Sequence, residues 1–384
     1  MKPLVIFFIL LFNFFNSQII KDSILEKPKY VKEYVLSLNN SSPFTFMEGD
    51  DEYGHAVIMT PKNLRDNMAR SWFESDFCRY INNETYYDEN RNITKEAWYY
   101  KSGKTVGSYD YKYDYLGRLT DEKSTNHYSS SQKKYIYEGL SKKIKFTEYQ
   151  SKWENEPVRT YFNSIENRNS FTISKFDSLT KIDSIFTVTD FAWKKVGENS
   201  FQEGKDSVFR KKLTLVNFYN ENFQIKESKS FDYKLDYGNK KLFQSSYKKY
   251  KYDSLGRLLE DIQISDDKYH YLILEKNGKY TEEIKDGGFA STSSTKYLYY
   301  DNGAIWTKTH YYQGNISNQF RFEYKNNLIE KLHYLDTWGK EKNNLKPTII
   351  IFKYKFDNHK NWIECIKNVN GKDLYAWKRE IKYY

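Results

Sequence analysis

The sequence predicts a mainly β protein: an array of antiparallel β-hairpins forming a long curled or spiral sheet, with a small helical or irregular N-terminal cap. Three observations predict it. The chain nearly repeats one phrase, Tyr111-Lys-Tyr-Asp-Tyr-Leu-Gly-Arg-Leu119 and Tyr250-Lys-Tyr-Asp-Ser-Leu-Gly-Arg-Leu258, and looser copies run through most of its length, the mark of a repeat architecture. Aromatic residues alternate with lysines: Tyr111 and Tyr113 around Lys112, Tyr250 and Tyr252 around Lys251, and Phe352, Tyr354 and Phe356 around Lys353 and Lys355. That period of 2 belongs to half-buried strands. Finally, 37 Tyr and 26 Phe stand against 6 Pro, and aromatic side chains favour pleated surfaces. A mean hydropathy of -0.86 would indicate disorder without the aromatics; with them it indicates a thin, solvent-rich β structure.

In chain order, residues 1–17 have the layout of a secretory signal peptide. Lys2 is followed by an apolar run from Leu4 to Phe15 and by the small residue Ser17, too short a run to span a bilayer comfortably. Residues 18–81 read as the cap. Ser23–Leu38 is expected to hold a short helix and Pro43–Thr60 an irregular stretch. Thr60-Pro61 reads as an N-cap with Pro at the first helical position. Leu64, Met68 and Trp72 follow at helical spacing, with Phe73, Phe77 and Ile81 near that face, so Pro61–Asp76 is read as a helix and Trp72 as core.

Residues 82–384 read as the hairpin array. In Asp114-Tyr-Leu-Gly117 the carboxylate can accept backbone N–H groups two residues on, and Gly117 can take positive φ without a Cβ penalty. Asp253 and Gly256 repeat this chemistry. Looser turns fall at Tyr87-Asp88, Tyr137-Glu138, Phe176-Asp177, Tyr219-Asn220, Glu275–Gly278, Tyr300-Asp301, Tyr324–Asn327 and Phe356-Asp357, giving ten candidate hairpins spaced largely 22 to 26 residues apart. One hairpin is marginal in water, so each must lean on the next.

The formal charge is +10, with 61 basic residues scattered among 51 acids. A nucleic-acid footprint needs a concentrated basic stripe, so no nucleic-acid partner is expected; nor is a stable membrane span. Cys78 and Cys365 could form a disulfide joining the first and last repeats or remain two small buried thiols; the sequence leaves both open. No catalytic motif is evident, and no catalytic, cofactor or metal-binding residue is assigned. His310 and His333 lie in strand-like runs and read as packed or surface imidazoles. The acidic run Gly49-Asp-Asp-Glu-Tyr-Gly-His55 reads as a solvated turn, with a Ca²⁺ site or a hydrolase site near Asp50–Glu52 as the sharper alternatives.

The phrases Tyr113-Asp114…Gly117-Arg118 and Tyr252-Asp253…Gly256-Arg257 resemble the YD repeat of Rhs proteins, insecticidal toxin-complex shells and teneurins. That resemblance implies hairpins wound into a spiral β shell around a toxic cargo. The chain departs from it: it is short for a shell, lacks the DPxG-type self-cleavage motif, and ends with its last hairpin. Tyr99-Tyr100-Lys-Ser-Gly103-Lys and Tyr299-Tyr300-Asp-Asn-Gly303 are similar to MORN-like repeats, and the overall style resembles exported Bacteroidetes proteins. The expectation is therefore an exported, non-enzymatic scaffold, periplasmic or extracellular, whose partner is a protein or polysaccharide of the envelope or its surroundings. The alternative is a carbohydrate-binding protein with exposed Tyr and Trp platforms.

Overall fold

The computed structural model describes residues 24–39, 61–100, 102–126, 129–138, 141–150, 167–195, 201–236, 239–265, 268–274, 280–286, 290–337 and 345–384. The signal-peptide reading of 1–17, the stretch 43–60 and the acidic run 49–55 lie outside them. Antiparallel strands dominate. In order they are β1 (Pro28–Ser37), β2 (Asn82–Tyr87), β3 (Ile93–Tyr99), β4 (Thr105–Tyr113), β5 (Leu119–Asn126), β6 (Ser129–Glu138), β7 (Ser141–Gln150) and β8 (Asn167–Asp177). Next come β9 (Ile182–Lys195), β10 (Phe201–Tyr219), β11 (Ile225–Asp236), β12 (Asn239–Tyr252), β13 (Leu258–Ser265), β14 (Lys268–Leu274), β15 (Tyr280–Asp286) and β16 (Ser291–Tyr299). The last are β17 (Ile305–Tyr312), β18 (Asn315–Lys325), β19 (Leu328–Asp336), β20 (Thr348–Phe356), β21 (Trp362–Val369) and β22 (Lys372–Tyr383). One helix is described, α1 (Pro61–Phe73).

Consecutive strands pair, so every candidate turn sits between two paired strands. The exception to simple succession is local. β13 and β14 lie end to end, both pairing with β12. β15 and β16 lie end to end beside them. β14 therefore ends and β15 begins at the end opposite to the Tyr-Asp turns; the Glu275–Gly278 turn itself lies outside the described residues, although its spacing in the sequence matches theirs.

The Ser23–Leu38 expectation is corrected: Pro28–Ser37 is strand β1. It pairs with β2 along Tyr30↔Tyr86 to Tyr34↔Asn82, and on its other side with β22 along Tyr30↔Lys382 to Ser37↔Tyr375. The ladders that leave β1 through β2 thus come back to it through β22, and the sheet curls far enough for its first and last hairpins to share one strand. The helix expected over Pro61–Asp76 is present and stops at Phe73.

Helix α1 lies against this junction. Leu64, Met68 and Trp72 are buried with Val31 and Val35 of β1, Phe320 and Phe322 of β18, Leu332 of β19, Ile350 and Phe352 of β20, and Trp377 of β22. Trp72 meets Trp377 edge-on at 5.3 Å, and Phe73 lies 5.3 Å from Phe352. Away from the junction a second, small cluster is described, Leu213 and Phe231 with Phe186 and Val216 against them.

Along the array the hairpins are also tied by tyrosine hydrogen bonds. Tyr113 Oη donates to the Ile93 carbonyl (2.8 Å), Tyr137 to Leu119 (2.8 Å), Tyr252 to Ile225 (2.8 Å) and Tyr299 to Leu258 (2.7 Å). Each accepting carbonyl opens the return strand of the preceding hairpin. The tyrosine before one turn therefore clamps the turn before it, and the repeat in sequence becomes a repeat of clamps in space.

Candidate functional site

Because the ladders are antiparallel, the turns at 88–92, 114–118, 178–181, 220–224, 253–257, 300–304, 326–327 and 357–361 share one end of the sheet, here called the turn rim. Two of them show its chemistry in full. Asp114 Oδ1 accepts from the Leu116 and Arg118 N–H groups (3.0 and 2.9 Å), and Oδ2 accepts from Arg118 Nε (2.7 Å). Asp253 repeats these bonds with Leu255 and Arg257 at 2.9, 2.8 and 2.6 Å. Each guanidinium then stacks over the next hairpin's tyrosine: Arg118 lies 4.4 Å from the Tyr137 ring and Arg257 4.8 Å from that of Tyr299. Burial works to raise the Asp114 and Asp253 pKa values, but hydrogen bonds from the arginine backbone and side chain, with its charge, hold both below the usual carboxylate range. Such carboxylates are fixed anions that shape a turn, not proton shuttles.

The turn glycines are required by conformation. Gly117 has φ 72° with no atom within 4 Å of an added Cβ, so Gly117→Ala meets only the left-handed backbone penalty. It is expected to cost about 1–2 kcal/mol in urea unfolding. The same change at Gly256 (φ 79°) also presses on Gln224 Nε2 at 3.1 Å, which donates to the Gly256 carbonyl at 2.7 Å, and is expected to cost more.

Part of the rim is apolar at its tips. Tyr115 is 93% exposed, Leu179 92% and Leu255 74%, with Leu116 and Phe223 also exposed. Elsewhere on the rim the tips are polar and exposed: Glu89 and Asn90, Asp301 and Asn302, Asn326 and Asn327, Asn358 and His359. Among the described tips, the apolar ones belong to hairpins between β4 and β13. One register differs from the sequence reading. Tyr300, not Asp301, takes the aspartate's place, because its N–H bonds the Ala304 carbonyl and its carbonyl accepts from Gly303, as Asp114 does with Arg118 and Gly117. Tyr100 takes the same place in the turn before β4, which explains the likeness of Tyr99–Lys104 to Tyr299–Ala304.

The other concentration of chemistry is sealed beneath α1. Glu96 is wholly buried, is paired with Arg65, and accepts from Tyr111 Oη at 2.8 Å. Lys367 is also wholly buried; its Nζ donates to the Ser71 and Phe77 carbonyls (2.8 and 2.6 Å). Burial lowers the Lys367 pKa to about 8 and raises those of Cys78 and Cys365 to about 12. Both thiols are free and buried, the second of the two alternatives left open by the sequence. Glu96, Lys367 and both thiols have no exposed face and pack under the helix.

Sequence reasoning missed Glu96 and Lys367, because charged residues in an alternating strand read as solvent-facing. His310 is half-buried and bonds Thr295 Oγ1 at 2.9 Å, its pKa lowered first by burial and then by Lys308. His333 bonds Glu323 at 2.7 Å. Among the described residues no three His, Cys, Asp or Glu side chains gather as a metal site, and no helix is long and apolar enough to cross a membrane.

No family model matches the chain, and no curated protein matches it. Among solved structures it is similar to the Tc holotoxin pore of Photorhabdus luminescens, at 10% identity over 77% of this chain with a TM-score of 0.20; the chain spans 19% of that protein. It is also similar to a porin-like protein from Bacteroides vulgatus (12% identity, 72% of this chain and 92% of that one, TM-score 0.20). A porin-like protein from Bacteroides uniformis gives 9% identity over 92% of this chain and 98% of the other, with a TM-score of 0.16. Superpositions this loose carry no argument about function.

Proposed function

We propose that the protein is an exported, non-enzymatic scaffold of the YD-repeat kind that binds a partner in the cell envelope or outside the cell. The observation that carries this reading is the apolar half of the turn rim. Large apolar side chains at the tips of the hairpins between β4 and β13 face solvent on turns that are hydrogen-bonded and cation-stacked into place. Exposed apolar groups gathered in one region mark interaction surfaces more often than isolated ones do, and rigid presentation lowers the entropic cost of binding. The Asp114–Arg118 and Asp253–Arg257 pairs of the rim and the polar groups of the buried junction are engaged in structure, which supports binding rather than catalysis.

The test is a crosslinking capture with the full chain as bait and the envelope and medium of its own organism as prey. One dominant partner, competed away by untagged protein and lost with the triple variant Leu179→Ser, Phe223→Ser, Leu255→Ser, is the expected result. Retention of the same partner by that variant would move the interface off the rim, and no competable partner of any kind would overturn the scaffold reading.

A further inference from the structure

Strand β1 carries a second surface, on the face turned away from the helix. Val31 and Val35 point into the core, so Tyr30, Lys32, Tyr34 and Leu36 occupy the opposite face of the strand. Register places Lys32 between Glu84 of β2 and Glu380 of β22, and Tyr34 between Asn82 and Lys378. Lys32, Tyr34, Leu36, Tyr80, Asn82 and Glu380 line an open depression of about 450 Å³, within the size range of ligand sites.

Its flank is aromatic and acidic. The Tyr30 and Tyr86 rings lie 5.0 Å apart, and the Tyr86 and Tyr99 hydroxyls both donate to Glu84 Oε2 at 3.1 Å. No hydrogen bond or ion pair joins the side chains of Lys32, Tyr34 or Glu380 to another described residue. An ammonium, a phenol and a carboxylate therefore converge on one depression with their bonding capacity unspent.

We propose that this depression is a glycan-binding site, in which Tyr34 stacks on a sugar face while Lys32, Glu380 and Asn82 bond its hydroxyls. This rests on the reading of the protein as a binding scaffold. Three features favour a saccharide. β1 is paired on both edges, so an extended peptide cannot add to it as a strand, the usual main-chain mode. Donors and acceptors of both charge signs suit hydroxyl groups, which give and receive hydrogen bonds, whereas a phosphate polymer would be repelled by Glu380 and Glu84. The depression is open, which suits a chain lying across it better than an enclosed small molecule.

The test is affinity gel electrophoresis of the full chain in gels containing laminarin, xylan, mannan or polygalacturonate. Retardation by at least one is expected. Tyr34→Ala, and separately the conservative Glu380→Gln with Lys32→Gln, should weaken it at least tenfold with an unchanged melting temperature. The triple rim variant should bind the polysaccharide like the parent. Absence of retardation in all four gels, or groove variants that bind like the parent, would overturn the proposal. So would a rim variant that alone loses binding. Because the scaffold reading is tested by protein capture, it can stand when this site fails.

Discussion

Trp72→Ala is expected to lower the unfolding free energy by about 3–5 kcal/mol, a large part of a domain's usual stability. Trp72 is fully buried, packs edge-on to Trp377, and has Lys367 Nζ 5.7 Å from its ring. Its removal opens a cavity where α1 meets the strands that bring the ends of the sheet together. Among the described residues the apolar cluster away from the junction is small, Leu213 and Phe231 with Phe186 and Val216, and lies too far from α1 to fill that cavity. The comparison variant is Trp306→Ala, whose ring is 42% exposed; it is expected to cost under about 1 kcal/mol, as surface changes usually do. Equilibrium urea unfolding monitored by far-ultraviolet circular dichroism reads both. Equal losses for the two tryptophans would show that the helix is an ornament on the sheet rather than its keystone.

The hairpins were legible because their turns carry strong local chemistry. Asp114 with Gly117, and Asp253 with Gly256, specify a turn within five residues, and the structure places the glycines at φ 72° and 79° as that chemistry requires. β1 was not legible as a strand, for a geometric reason. Val31 and Val35 are four apart, a spacing that puts two residues on one face of a helix and equally on one face of a strand. The branched and aromatic content of Tyr30, Val31, Tyr34 and Val35 was the signal that could have decided for strand.

Glu275–Gly278 keep the repeat spacing in the sequence, yet the strands on either side of them meet at the other end, because β14 continues β13 instead of returning along it; spacing records length, not direction. The buried Glu96 and Lys367 could not be found by alternation. A helix lying on the inner face accepts their charge through Arg65 and through the Ser71 and Phe77 carbonyls, and only the tertiary fold supplies those partners. The apolar rim tips were visible as Leu116, Leu179 and Leu255, but their gathering at one end depends on the sheet direction of every hairpin between them.

Stability is expected to hold nearly level from pH 8 to 9, where opposing titrations cancel, and to collapse above pH 10. Three sets of groups set this course, and their signs differ. Lys367 has a folded pKa of about 8 against an ordinary 10.5. Above pH 8 the folded state has released a proton that the unfolded chain still holds, so stability rises with pH, by about 1 kcal/mol between pH 8 and 9. Cys78 and Cys365, raised to about 12 by burial, act in reverse. Their contribution is complete below about pH 8 and is lost as the unfolded thiols ionise around pH 9, which offsets most of the gain from Lys367. The tyrosines then dominate. Burial raises Tyr109 and Tyr324 to about 12, and it raises Tyr111, Tyr135 and Tyr354 further, with Glu122 adding to the effect at Tyr135. Each keeps its proton in the folded state while the unfolded chain loses it above pH 10, and the clamps that join hairpin to hairpin need that proton. Lys367→Met isolates the first set. Ser75 Oγ lies 2.7 and 3.1 Å from the Ser71 and Phe77 carbonyls and has one proton to donate, so the helix end keeps one of its hydrogen bonds while the titrating ammonium is gone. Urea midpoints measured from pH 7 to 11 should stay level to about pH 9 and then fall for the parent, and fall from pH 8 for the variant. A parent profile that declines from pH 8 alongside the variant's would mean that Lys367 is not held in the dry, carbonyl-bonded site that gives the first hairpin, the helix and the last hairpin a common anchor.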